Sequence, residues 1–406
     1  ELPRNKVRVI TEHMGGGFGA KFGALSWDVL CASFAKETGR PVKYLLPRRL
    51  EHLLGGNRPD SIQRMTLGGT KDGKLTVLKG ESFGTSGNGR RGAGSANHQT
   101  YDLPNLHMLQ HTVSTFTARG AAFRAPRHPQ GYFALESAID LYAATAGLDP
   151  LEVRLKNDPH PVRRIQWELG ADRIGWATNR RKTPGSDEGP VKHGVGCAAG
   201  RWSQAGRGKW DVDLTIDREG NVVVSNGAQD IGTGTRTLLA ILVAEELGIP
   251  PARIDARVGD TRFPPGPGSG GSTTAPSLGP AAREAGLRAR EALTGLLATE
   301  WGVDDALVTL VDGAFSAPGG KRATFDEACG LIGDEGLAVR GTRRRNYEGA
   351  FRETAGCQFA QVAVDVETGV VKVERVVAVH DCGRVVDALT SRRQVNGGVI
   401  QGISYA

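Results

Sequence analysis

Four times along this chain, glycine and other small residues stand next to an apolar, helix-patterned stretch. "HMGGGFGAKFGA" (13–24) follows the strand-like "KVRVIT" and precedes "LSWDVLCASFAKETGRP", a helix closed by Gly39 and Pro41. "GAQDIGTGT" (227–235) leads into "RTLLAILVAEELGIP", and "GPGSGGSTTAPSLGP" (266–280) leads into "AAREAGLRAREALTGLLATEWG". Near the end, "RRQVNGGVIQG" (392–402) reads as a fourth glycine-bearing helix start. Glycine reaches 57 of 406 residues without a Gly-X-Y period, so positive-φ turns and close backbone approaches recur through the fold. Small residues before a helix expose backbone N–H groups at the positive end of its dipole, where an anion is favoured. One such loop is equally well a tight turn packing two backbones; four in one chain imply a large anionic ligand gripped by backbone.

The familiar nucleotide versions fail. A P-loop wants Gly immediately before its Lys and Ser or Thr after it, and here Lys21 stands between Ala20 and Phe22. A dinucleotide fingerprint counted from Gly17 and Gly19 needs glycine where Phe22 stands. ATP and NAD are therefore disfavoured.

The length suits two or three domains. Up to residue 158, strands "KVRVIT", "PVKYLL", "KLTVLKGESFG" and "LHMLQHTVSTF" mix with helices, the last being "ALESAIDLYAATAGLDPLEVRLKN". Residues 159–193, rich in Pro, Gly and charge, read as a linker, and 194–406 as a second domain. In that domain "DVDLTID" and "NVVVSN" flank "REGN" as a hairpin, and a second hairpin turns at Glu367-Thr368-Gly369. Strands and helices alternate without a strict βαβ rhythm, which makes the fold class α+β.

Charge and cysteine narrow the function. With 51 Lys and Arg against 44 Asp and Glu the chain carries +7, a mild basicity that suits anionic ligands. Aromatics at 6% are too sparse for a nucleic-acid groove. The five cysteines show no C-x-x-C spacing, which argues against a zinc ribbon, an iron–sulfur cluster on this chain or a disulfide framework. No apolar run has the length of a membrane span and no leader pattern opens the chain, so the cytoplasm is the expected compartment, with the periplasm left open. The absence of an initiator Met and the stop inside the helix-like "QGISYA" suggest an internal piece of a longer protein.

Five segments, in this order and spacing, carry a family resemblance: "GGGFGAK" (15–21), "GAAFRAPRHPQGYFALESAID" (120–140), "DIGTGTRT" (230–237), "GDTRFPPGPGSGGSTTAPSLGPA" (259–281) and "HDCGRVVDALTSRRQVNGGVIQG" (380–402). Together they resemble the molybdenum-binding large subunit of the xanthine dehydrogenase and aldehyde oxidase family across essentially the whole chain. The resemblance implies a two-domain core binding a molybdenum–molybdopterin cofactor, in its cytosine dinucleotide form, and oxidative hydroxylation of an aldehyde or N-heterocycle with water as oxygen source. Electrons would leave through 2Fe–2S and FAD groups on partner domains or subunits. By the same carry-over Gly16, Gly17, Phe18 and Gly19 lie against the pterin and the metal's ligands, while Phe123, Arg124 and Ala125 border substrate and cofactor. Gly232, Thr233, Gly234, Ser269, Ser272, Thr273 and Thr274 line pterin, phosphates and nucleotide, with Gln394 and Gln401 adding contacts. The metal is held by the cofactor's dithiolene, which would account for the lack of a His/Cys ligand cluster.

The chain departs from the family in telling places. The family's catalytic Glu, in a Gly-Glu motif, falls beyond the stretch matching this chain, so Arg124, as an orienting group, is the one catalytic candidate. A cofactor- or subunit-binding piece without turnover is the alternative. Ala125 stands where carbon monoxide dehydrogenases carry a copper-binding Cys. Ala125-Pro126-Arg127 and Phe22 replace features of purine-oxidising members, which leans the substrate toward an aldehyde or another aromatic. Thr233 stands where many members have Gln. His13, His107, His111, His128 and His380 lack metal-site spacing and read as structural; Asp381-Cys382 reads as a turn after a strand. Glu136 and Asp140 read as the exposed or capping face of a helix.

Overall fold

The computed structural model describes residues 2–89, 100–181, 183–203, 206–343 and 353–406. In chain order its helices are α1 (Ser26–Thr38), α2 (Arg48–Leu54), α3 (His128–Ala146), α4 (Pro150–Asn157), α5 (Pro161–Ile174), α6 (Trp176–Asn179), α7 (Thr235–Leu247), α8 (Thr274–Trp301), α9 (Phe325–Cys329) and α10 (Ala388–Tyr405). The strands are β1 (Ser61–Gly69), β2 (Leu75–Gly87), β3 (Asn105–Ser114), β4 (Val191–Ser203), β5 (Trp210–Ile216), β6 (Val222–Asn226), β7 (Ile254–Val258), β8 (Thr309–Val311), β9 (Ala314–Ala317), β10 (Lys321–Thr324), β11 (Leu337–Arg343), β12 (Glu353–Asp365) and β13 (Val371–Asp381). Two compact units result: a larger one from Gly17–Trp202, Thr354–Gly383 and Val395–Ala406, and a smaller one from Glu1–Gly16, Ser203–Glu353 and Arg384–Gln394. Helices and mostly antiparallel sheets give an α+β architecture.

In the larger unit the sheets run β1-β2-β3 and β13-β12-β4. Leu75 and Leu78 of β2 and Leu135 and Ile139 of α3 are completely buried in one core. Each such side chain contributes about 2 kcal/mol through the apolar area it removes from water. Residues 159–193, which read as a linker by composition, instead place α5 in this core. Trp167 is fully buried, edge-on to Phe359 at 5.9 Å, and its indole N–H donates to Asp158. A Cβ on Gly170 would lie 2.2 Å from the Phe359 ring, so this glycine is where helix meets ring.

The smaller unit is built on the sheet β11-β5-β6-β7, covered by α7 and α8. The hairpin expected at "REGN" joins β5 to β6, its turn held by Asp217 accepting from the Asn221 backbone N–H. Along α8 the small residues Ala281, Ala282, Ala285 and Ala289 are fully buried, and a Cβ on Gly341 of β11 would sit 2.0 Å from the Ala281 carbonyl. Small residues on both sides allow this close helix–strand contact. The helix also begins earlier than the sequence pattern predicts, at Thr274 and not after Pro280. Pro280 within it cannot donate to the carbonyl four residues back; that carbonyl, on Pro276, accepts from Arg343 Nε instead.

Three further segments differ from their sequence pattern. "KVRVIT" follows a 3-10 turn at Arg4–Lys6 and makes one bridge, Ile10 to Asp260, with the Thr11 N–H donating to the Gly259 carbonyl and the Thr261 N–H to the Val9 carbonyl; Arg8 pairs with Asp260, and the Val9 N–H donates to the Thr261 hydroxyl. "PVKYLL" forms no ladder among the described residues and leaves Leu45 exposed on its way to α2. "RRQVNGGVIQG", read as a helix start, lies within a helix that has already begun: Gly397 and Gly398 are inside α10.

Candidate functional site

The larger unit brings parts of three of the five motif segments into contact. The Phe18 carbonyl accepts from the Arg124 N–H at 2.7 Å, and a Cβ on Gly19, at φ 114°, would fall 2.1 Å from the Ala122 carbonyl oxygen. Gly19 is therefore glycine because protein backbone lies against it. Gly17, two residues earlier, differs: a Cβ there would meet only the Lys21 side chain, at ordinary contact distance. Phe18 is half exposed and left-handed at φ 50°, and Ala125 is left-handed at φ 57°. Such backbone costs an L-residue about 1–3 kcal/mol and persists where the surroundings enforce it.

Arg124 is half-buried between this loop and α10. Burial lowers its pKa from the ordinary arginine value, though a guanidinium stays charged. Its Nη1 donates to Gln401 Oε1 at 3.4 Å, and Cβ atoms on Gly397 and Gly398 would lie 3.4 and 3.5 Å from its terminal nitrogens. Both glycines of the pair in α10 thus lie beside this guanidinium, and a Cβ on either would be at ordinary contact distance from it. Phe123 faces Tyr405 across 5.9 Å.

The smaller unit holds the remaining candidates. Gly232 and Gly234, at φ 88° and 86°, turn the chain into α7, but an internal anion occupies that start. Asp230 Oδ1 accepts from the N–H groups of Gly232 (2.9 Å) and Gly234 (3.2 Å), and Oδ2 from Arg236 (3.2 Å). The expectation that every glycine loop offers free N–H donors is corrected here: a carboxylate of the chain takes three of them. Thr233 and Gly232 remain exposed, and a Cβ on Gly232 would meet nothing within 4 Å. Thr390 packs on Gly234, a Cβ on which would lie 3.1 Å from its methyl.

At α8 the first turn has no side-chain cap. Ser272 is left-handed at φ 57°, Gly271 at φ 64°, and the Thr273 hydroxyl donates to the Gly270 carbonyl at 2.8 Å, leaving Ser272 and Gly268 exposed before Thr274. The Ser269 hydroxyl donates to the Gln229 carbonyl, so Gln229 ties the α7 and α8 loops together. Gly266 is a packing glycine: a Cβ there would meet Asn226 Oδ1 at 2.2 Å, and that oxygen accepts from the Ala228 N–H. Gly16 is exposed at the end of the N-terminal segment, and Gln394 is half-buried in α10.

Glu136 and Asp140 are not a reactive carboxylate pair, nor is Glu136 on an exposed face. Arg154, completely buried, donates to Glu136 at 2.8 Å and to the partly exposed Asp140 at 2.6 Å, while the Tyr101 hydroxyl donates to Glu136 at 2.9 Å. Burial pushes the Glu136 carboxyl up, opposed by Arg154. His111 stacks on Phe83 and meets Glu81 at 3.0 Å, and His380 meets Gln358 at 3.0 Å. Among the described residues no three His, Cys, Asp or Glu side chains gather as a metal site, and no helix is long and apolar enough to cross a membrane. Burial pushes the thiols of Cys197, Cys329 and Cys357 up to about 12.

Sequence reasoning missed Asp230, Gln229 and Arg58. Asp230 had a signal, since an Asp two residues before a glycine commonly closes an Asx turn on the backbone. Arg58, whose Nη2 donates to the Arg124 carbonyl, had none.

In the smaller unit, the open face of Gly232, the uncapped α8 start and the exposed small-residue loop before it suit an anionic ligand held by backbone; in the larger unit, Gly17 has an open face of its own. A family model described as "Molybdopterin cofactor-binding domain" matches residues 1–158, and a second with the same description matches 169–406. The chain is 33% identical over 428 aligned positions to the aldehyde oxidoreductase molybdenum-binding subunit PaoC of Escherichia coli, covering 100% of this chain and 56% of that protein. It is 27% identical to an Escherichia coli xanthine dehydrogenase molybdenum-binding subunit, covering 100% of this chain and 58% of that one. Its fold matches quinoline 2-oxidoreductase from Pseudomonas putida 86 with a TM-score of 0.86 at 22% identity, over 98% of this chain and 57% of that one. The chain thus spans little more than half the length of these relatives.

Proposed function

Since this chain belongs to the molybdopterin cofactor-binding family, as the molybdenum-binding large-subunit type of the xanthine dehydrogenase and aldehyde oxidase group, we propose that it forms the cofactor-holding core of a molybdenum hydroxylase. The substrate is an aldehyde or N-heterocycle, the cofactor form is molybdopterin cytosine dinucleotide, and electrons pass to 2Fe–2S and FAD partners. PaoC, an aldehyde oxidoreductase subunit, and Ala125-Pro126-Arg127 both favour the aldehyde.

One observation carries this reading. Among the described residues five non-glycine positions have left-handed backbone, and four of them, Phe18, Ala125, Arg127 and Ser272, lie in three of the motif segments. Strain concentrated on motif residues is the mark of backbone shaped for a ligand.

When bound, the cofactor supplies the redox chemistry by which a water-derived oxygen reaches an electron-poor carbon. The Ser269, Ser272, Thr273 and Thr274 stretch at the uncapped start of α8 would hold its phosphates and nucleotide; the Gly232-Thr233-Gly234 turn, whose Gly232 and Gly234 N–H groups Asp230 takes, would line the ligand with the Thr233 side chain and the open face of Gly232, and Gln394 would add a polar contact. Gly16 and Gly17 would let the pterin lie on backbone, and Phe18 would shield the reacting carbon from bulk water. Arg124, braced by Gln401 and short of full solvation, would orient the oxygen of substrate or cofactor; a planar, permanently charged fork suits that task. Phe123 and Ala125 set its starting point.

The test is turnover of the protein purified with its partner subunits, in water labelled with heavy oxygen. Label in the carboxylate or hydroxylated product is expected, and a product without label overturns the reading. Arg124→Ala should lower kcat/KM about 100-fold while keeping molybdenum, since misplacing substrate costs on that order. Loss of the metal in that variant would make Arg124 structural.

A further inference from the structure

Ala125 cannot hold its left-handed backbone unaided, and the Arg124–Ala125 peptide is gripped from a direction that none of the five motifs supplies. Arg58 Nη2 donates to the Arg124 carbonyl at 2.7 Å, while its Nη1 reaches Gln130 Oε1 at 3.5 Å and its Nε donates to the Tyr405 hydroxyl. Its guanidinium lies 4.7 Å from the Phe123 ring centre and 5.0 Å from that of Tyr405, so it touches both aromatic faces. The residues before it continue the grip: Asn57 accepts from the Ala121 N–H at 2.8 Å and donates to the Arg119 carbonyl at 3.3 Å, and a Cβ on Gly56 would sit 2.5 Å from the Ala121 methyl. Gln130 in turn donates to the Pro59 carbonyl at 3.1 Å.

We infer that Arg58 is a positioning residue that fixes the peptide on which Arg124 is mounted, resting on the assignment of Arg124 made under Proposed function. The Arg124 N–H is held by the Phe18 carbonyl and its C=O by Arg58, so both peptide planes flanking its Cα are set before its side chain begins. The guanidinium of Arg124 then points where those planes send it, beside Gly397, Gly398 and Gln401. The role needs three donor directions in one plane and a flat face between two rings, which an ammonium lacks. A charge alone at position 58 therefore does not replace it.

The experiment compares wild type, Arg58→Ala, Arg58→Lys and Tyr405→Phe, each purified with partner subunits, for three readouts: hydrogen exchange of the amides in 119–127, molybdenum content, and kcat and KM separately. Arg58→Ala should speed exchange at 121–127, keep molybdenum, and lower kcat/KM about 100-fold, the order expected when a catalytic group is displaced. Arg58→Lys should stay closer to the Ala variant than to wild type. Tyr405→Phe, which removes one hydroxyl and keeps the ring, should move exchange and KM the same way by about threefold, as loss of one hydrogen bond does, and serves if Arg58→Ala fails to fold. Unchanged exchange, or full rescue by lysine, overturns the inference. Faster exchange in the variants of a protein whose wild type turns over no aldehyde or heterocycle leaves the positioning standing and overturns the activity reading.

Discussion

Gly17 and Gly19 are separated by one residue and do opposite things. Gly19 is filled against from within: its missing side chain is the space the Ala122 carbonyl occupies. Gly17 faces no backbone, and only the Lys21 side chain lies near where a side chain would go. The same contrast divides the smaller unit, where Gly266 packs on Asn226 and Gly232 opens onto nothing within 4 Å. A glycine motif is thus a mixture of glycines packed by protein and glycines with open faces, and under the proposed function, in which the open ones face the ligand, the two kinds should fail differently when substituted.

The largest effect is expected at the folding glycine. Gly19→Ala forces a Cβ into backbone at a positive φ, and strain plus overpacking should cost about 4 kcal/mol, read as a fall in denaturation midpoint with or without cofactor. Gly17→Val should leave the midpoint of the cofactor-free protein close to wild type and abolish molybdenum loading, because the branched side chain enters ligand space; normal molybdenum content would erase the distinction. Asp230→Ala removes the carboxylate that caps α7 and should cost about 1–2 kcal/mol in chemical denaturation, the range for loss of an N-cap. A smaller effect concerns the segment leading to the glycines. Arg8, together with the Arg262 N–H, holds the Asp260 carboxyl at about 2, below the ordinary carboxylate value. That depressed pKa stabilises the fold above about pH 4, and the contribution fades as pH falls toward about 2. Asp260→Asn should flatten the wild type's acid-side decline in melting temperature, and parallel profiles would refute the pairing.

These contrasts also show how far the sequence alone reaches. The two hairpins and the strand of "LHMLQHTVSTF" were legible because turn chemistry and alternation are local, whereas the five motif segments were legible through their family resemblance. The start of α8 was not, since Pro276 and Pro280 signal interruption and only the distant Arg343 shows how the freed carbonyl is satisfied. Gly397-Gly398 reads as the start of a helix, whereas α10 already begins at Ala388 and carries the pair in its interior beside the Arg124 guanidinium. Residues 159–193 have a linker's composition, yet Trp167 and Gly170 place α5 against Phe359, a partner about two hundred residues away whose contact no local pattern encodes. Arg58 was illegible for the same reason: its role exists only in contacts with Phe123, Arg124 and Tyr405.

The most direct measurement of the central claim, that these loops hold a molybdopterin dinucleotide, is metal and nucleotide analysis of the protein purified with its partner subunits. Molybdenum would be counted by mass spectrometry and CMP after acid hydrolysis. Near-stoichiometric molybdenum accompanied by an equal amount of CMP is the expected result. Protein that carries neither, after expression in cells that make the cofactor, would contradict it.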